Sequence, residues 1–134
     1  MTGHPNAAPV MRALKAFGER DSRVLAETLS ADAVWHVGGN NPVSGDYHGA
    51  REIVQCQEEL LELVANSARV RPHDTLASDD HVVVLAGVAA SRHGRDYTGN
   101  LLYLFHVHDD HITEGWVVQH NQQAWDDFLN ATPT

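Results

Sequence analysis

The chain has 134 residues and a formal net charge of -9, with 18 acidic side chains against 9 basic ones, 10 histidines and one cysteine. That length suits one domain, spanning 1–134 with its core over about 10–129, that buries a single hydrophobic core; the acidic balance without a Lys/Arg cluster excludes a nucleic-acid backbone as partner, because phosphate binding needs a positive patch. Met1 to Pro9 carries no basic start leading into an apolar run, and no apolar stretch reaches the ~20 residues of a membrane span, so the expectation is a cytoplasmic protein with no membrane partner.

Asn6 is placed to cap a first helix whose apolar residues Val10, Leu14 and Phe17 recur at helical spacing and which ends near Gly18. Asp21 or Ser22 then caps a short second helix carrying Val24, Leu25 and Leu29. Ala33 to Val37 reads as a strand, and Gly38-Gly39-Asn40-Asn41-Pro42 as a turn too rich in glycine for regular structure. From Gly49 to about Asn66 the positions Ile53, Gln57, Leu60, Leu61 and Val64 mark one face of the longest helix, with glutamates on the other. Three strand-like runs follow, Val82 to Ser91, Thr98 to Val107 and Ile112 to His120, joined by the polar connections His93-Gly94-Arg95-Asp96 and His108-Asp109-Asp110-His111, each suited to a hairpin. Gln122 to Asn130, with Trp125 and Phe128 three apart, make a last helical turn or two.

Helices followed by meandering strands give the α+β class, a curved antiparallel sheet wrapped on the long helix with a concave interior in which a pocket forms. Side chains two apart on a strand share a face. On that basis Trp116, Val118 and His120 of the last strand and Leu101, Tyr103, Phe105 and Val107 of its neighbour are expected to face inward with Trp35 and Val37. His120 and Tyr103 are then the candidate catalytic groups, an imidazole for acid/base work near neutral pH and a phenol to donate to a developing oxyanion. His36, one residue off the inward parity, belongs by default on the outer face, and a one-residue change of register makes it a third candidate. Tyr47, in the loop region near one end of the cone, joins Trp35, Val37, Phe105, Trp116 and Val118 as a candidate substrate contact. His106 and His108 alternate on one strand face, but no carboxylate or cysteine completes a metal set with His93 or His111, and no metal is expected. Cys56, alone within a helical pattern, reads as structural.

Gly18-Glu19-Arg20-Asp21, Ser30-Ala31-Asp32-Ala33-Val34-Trp35, Gly45-Asp46-Tyr47-His48-Gly49-Ala50 and Asp110-His111-Ile112-Thr113-Glu114-Gly115-Trp116, in this order and spacing, resemble the nuclear transport factor 2-like superfamily and within it the SnoaL-like and ketosteroid-isomerase-like branch. The resemblance implies a cone-shaped α+β barrel, a homodimer paired through the outer sheet face, and a small-molecule enzyme of acid/base isomerase or cyclase type. Its substrate would be a hydrophobic, aromatic or polyketide-derived molecule, handled without an organic cofactor. The alternative is a non-catalytic ligand-binding or dimeric assembly module of the same fold. Residue by residue the catalytic sets are incomplete. The ketosteroid isomerase positions fall at Ala13, Val37 and Tyr103, and those of limonene-epoxide-hydrolase-like relatives at Trp35, Val37, Gly87, Ala89 and Val118. Where the cyclases carry a carboxylate on the last strand, this chain offers Gln119, His120 and Asn121.

Overall fold

Pro9, Val10, Ala13 and Ala16 lie on the buried stripe of α1 (Ala7–Glu19), the first element of a computed structural model that describes residues 4–132. Asn6 precedes the helix as expected but does not cap it with its side chain, which donates instead to the carbonyls of Ser78 and Asp79 at 3.2 and 3.0 Å. The helix ends at Arg20 in a left-handed conformation, and Asp21 accepts from the Val24 amide at 3.1 Å to start α2 (Ser22–Glu27). Leu29 is not part of that helix. The buried Thr28 hydroxyl donates to the Leu25 carbonyl at 2.6 Å, its own carbonyl accepts from the Ile112 amide at 2.8 Å, and the chain leaves Thr28 as β1 (Leu29–Val37).

Two further strands were not apparent in the sequence, β2 (Gly45–His48) and β3 (Arg69–Ala77), which flank α3 (Gly49–Leu63). The chain then runs through β4 (His81–Arg92), β5 (Arg95–His108), β6 (His111–Gln119) and α4 (Gln122–Asn130). Both expected hairpins are present. Arg92 pairs with Arg95 across His93 and Gly94 (φ 52° and 76°), and His108 with His111 across Asp109 and Asp110 (φ 49° and 66°). Two positive φ angles in a two-residue loop match the right-handed twist of the paired strands.

The six strands form one curved, unclosed sheet in the order β2-β1-β6-β5-β4-β3. It is not wholly antiparallel: β1 and β6 run parallel, with Trp35 opposite Gly115 and His36 opposite Trp116. The two-residue turn fixes β6 antiparallel to β5, and β1 lies along the other edge of β6. Val82, Val84, Ala86, Leu101 and Phe105 of the inner face pack with Val10, Ala13 and Ala16 of α1, while Trp125, Phe128 and Leu129 of α4 close a second cluster with Val43, Cys56, Leu61 and Val64. Trp35 touches both clusters. Among the described residues no helix is long and apolar enough to cross a membrane.

Candidate functional site

Between the sheet and α1 and α3 lies a cavity of about 130 Å³. Its aromatic wall is a short stack on the inner face, with Trp35 and Phe105 centroids 5.8 Å apart at 18°, and Tyr103 6.0 Å from Trp35. Phe17, Val37, Val43, Leu60, Val117 and Trp125 complete much of the rest. A glycine admits this stack: a Cβ on Gly115 would stand 2.6 Å from Trp35 Cζ3 and 3.0 Å from Phe105 Cδ1.

The polar groups on the wall are uncharged: Gln57, Gln119, the Tyr103 phenol and the Cys56 thiol. Gln57 donates to the Phe17 carbonyl at 3.3 Å. Gln119 is 9% exposed, and its Oε1 is the buried side-chain acceptor left without a partner among the described residues. Burial pushes the Tyr103 phenol above its ordinary value, so it remains a neutral donor. Burial likewise pushes the Cys56 thiol up to about 11. Such a wall can orient and polarise a neutral molecule, and it contains no ionised acid or base.

Trp35, Val37, Tyr103 and Phe105 line this cavity. Trp116, Val118 and His120 do not, and their expected inward facing is corrected: Ile112, Gly115, Val117 and Gln119 are the inward residues of β6. Val118 is 48% exposed, and His120 is exposed beyond the strand end with its backbone amide bonded to the Asn100 carbonyl at 2.8 Å. The inversion arises because both faces of this strand are apolar. Leu102, Leu104, Val83 and Leu85 stand half-buried on the outer face, where Trp116 and Val118 extend the same rows. Hydrophobicity therefore did not mark the parity of β6, whereas the mid-strand Gly115 did, as a site of close approach.

His36 takes the outer position that its parity gave. Its Nδ1 and Nε2 lie 2.7 Å from Asp46 and from Glu114, and its ring stacks on Trp116 at a centroid distance of 5.0 Å. An imidazole bonded to carboxylates through both nitrogens donates both protons, and the bonds from Glu114 and then Asp46 raise its pKa. Tyr47 points to the second cluster rather than the cavity, donating to the Val43 carbonyl at 2.7 Å. His106 sits 3.8 Å from Glu114 and edge-on to Trp116; no three side chains that could hold a metal converge among the described residues.

Sequence reasoning missed the closure of the cavity. Asp126 of α4 accepts from the Asn40 amide at 2.9 Å, from Asn41 Nδ2 at 2.7 Å and from Gln122 Nε2 at 2.9 Å, pinning loop 38–44 to the helix. Val43 and Trp125, one from each side of this latch, are wall residues. Gln57 had a visible signal, an amide on the apolar stripe of a helix; Asp126 had none, since its loop partners Asn40 and Asn41 are remote in sequence.

No curated protein matches this chain. Solved structures do. Bal32a, from a soil-derived mobile gene cassette, superposes with a TM-score of 0.89 at 24% identity, covering 94% of this chain and 97% of that one. A protein of unknown function with a cystatin-like fold from Xanthomonas campestris gives 0.87 at 21% identity over 94% and 98% of the two chains. TerC, in a structure co-crystallised with polyporic acid, gives 0.85 at 16% identity over 96% and 100%. At these identities the likeness is one of fold. The sequence itself also matches the model of the SnoaL-like domain over residues 10–115, from Val10 of α1 to the glycine beneath Trp35, and the chain belongs to that family.

Proposed function

We propose that this SnoaL-like chain binds a small, neutral, hydrophobic molecule inside the cone. The observation that carries this reading is the composition of the wall, in which the polar members are amides, a phenol and a thiol amid aromatic and aliphatic side chains. An ionised ligand would lose its hydration there without a counter-charge, a cost of several kcal/mol. Acid/base isomerisation on His120 is no part of this reading, because that imidazole lies outside the cavity.

Trp35 and Trp125 line the cavity and Trp116 lies outside it, which makes fluorescence of a Trp116→Phe variant the direct test. Titration with toluene, acetophenone and naphthalene is expected to give a saturable change for at least one of them. A signal that stays linear across all three refutes the reading. Binding is also expected to be level between about pH 5 and 9, since Tyr103 and Cys56 are both displaced above that window.

One observation favours turnover as a second reading. The Tyr103 phenol is neutral, buried and on the cavity wall, suited to donate to a carbonyl oxygen as charge develops in a cyclase-type step. Loss of turnover with retained ligand affinity in Tyr103→Phe supports it; turnover equal to that of the unsubstituted protein removes it.

A further inference from the structure

Three features of the cavity, taken together, narrow the ligand; the inference rests on the binding reading above. The first is size. A cavity of about 130 Å³ is close to the ~150 Å³ of an apolar cavity known to accept benzene and well below the ~300 Å³ at which pockets for larger molecules begin. That volume suits one ring with a small substituent better than fused rings.

The second feature is shape. Trp35, Tyr103 and Phe105 form a tilted stack along one wall, with rings inclined by 18° to 31°, a surface that suits a flat partner. The third is an unpaired acceptor. Gln119 Oε1 is buried with no partner among the described residues, and such an oxygen carries a desolvation penalty that a donor removes. Leu101 lies opposite Gln119 in the β5–β6 ladder, so Tyr103, two residues further along, is its diagonal neighbour on the same inner face. A hydroxyl held between them would donate to Gln119 and accept from the Tyr103 phenol, matching both side chains at once.

We infer that the ligand is an uncharged single-ring aromatic bearing a hydroxyl group, a phenol in chemical class, with Gln119 accepting its O–H. A hydrocarbon of the same size would leave Gln119 unpaired, and a ring carboxylate would bring a charge to a wall that has none to offset it.

Calorimetric titration at pH 7 with p-cresol, toluene, 1-naphthol and benzoate tests this. The expected result is p-cresol binding about tenfold tighter than toluene, the order of one hydrogen bond made to a previously unpaired buried acceptor. Benzoate is expected to give no saturable heat, and 1-naphthol to bind more weakly than p-cresol. In Gln119→Met the preference for p-cresol over toluene is expected to vanish while toluene binding persists, which separates a lost hydrogen bond from a lost fold. Tyr103→Phe serves as a second variant and is expected to reduce the same preference. In the unsubstituted protein, p-cresol should shift the side-chain amide resonances of Gln119 and toluene should not.

Equal affinities for p-cresol and toluene overturn the phenol inference and leave the binding reading standing. So does a preference that survives in Gln119→Met, or tighter binding of 1-naphthol. No saturable binding of any probe overturns the binding reading, and the phenol inference with it.

Discussion

Replacing Asp126 by alanine probes the latch that closes the cavity. The carboxylate is 7% exposed and accepts from the Asn40 amide, Asn41 Nδ2 and Gln122 Nε2 at 2.7 to 2.9 Å. Burial acts to raise its pKa, and the three hydrogen bonds outweigh burial, so the net displacement is downward. Alanine leaves three donors without their acceptor. At about 1 kcal/mol each for partly buried groups that water can rehydrate, the loss is about 3 kcal/mol. For a chain of this size that is about 10 °C in Tm. Denaturant unfolding followed by circular dichroism measures it, as a lower midpoint with unchanged slope. The sign of the pH dependence follows from the lowered pKa. The stabilisation is complete above the ordinary value of 3.8 and disappears as pH falls through the lower folded-state value, so the two unfolding curves should converge only in strong acid. A penalty below about 0.5 kcal/mol at pH 7, the range of an inconsequential surface change, refutes the latch. A penalty that persists undiminished near pH 2 refutes the assignment to the ionised carboxylate.

Other substitutions test other parts of the molecule. His36→Gln removes the imidazole between Asp46 and Glu114. Because the folded-state pKa of His36 is raised above 6.5, its stabilisation is present in full below that value and is lost as pH rises through the folded pKa. Over that range the stability of the unsubstituted protein should fall relative to the variant by about 1 kcal/mol or less, as befits a half-exposed pair, and a pH-independent difference speaks against it. The same titration should alter the fluorescence of Trp116, whose ring stacks on His36, and should leave a Trp116→Phe variant without that component. Gly115→Ala places a methyl group against two rigid rings and should cost about 1–3 kcal/mol in denaturant unfolding; a cost near zero means that Trp35 does not pack as described.

How much of this molecule was legible depended on whether one apolar pattern had one structural meaning. The stripe Ile53, Leu60, Leu61, Val64 could only be a helix face, and the two hairpins declared themselves through short polar turns. β4 and β5 alternate between buried and half-buried residues, so the inward facing of Tyr103 and Phe105 followed. The strand β3 was obscured by its own composition, with Arg69, Arg71, His73 and Asp74 exposed at an edge and a register shift between Pro72 and Asp74. β2 spans only Gly45 to His48, too short for a period to register.

On β6 the difficulty was different in kind. Trp116 and Val118 are apolar because the outer face is itself apolar, so greater hydrophobicity pointed to the wrong side, and the direction of the β1–β6 pairing was not encoded locally at all. What did carry the parity was an absence of side chain. Gly115 lies directly opposite Trp35 in the parallel ladder, and the indole occupies the space that any Cβ there would fill. Once Gly115 is inward, Val117 and Gln119 are inward too, and the residue with polar chemistry at the end of the last strand becomes Gln119 rather than His120. A change of one position thus replaces an ionisable group by a neutral amide on the inner face of the sheet.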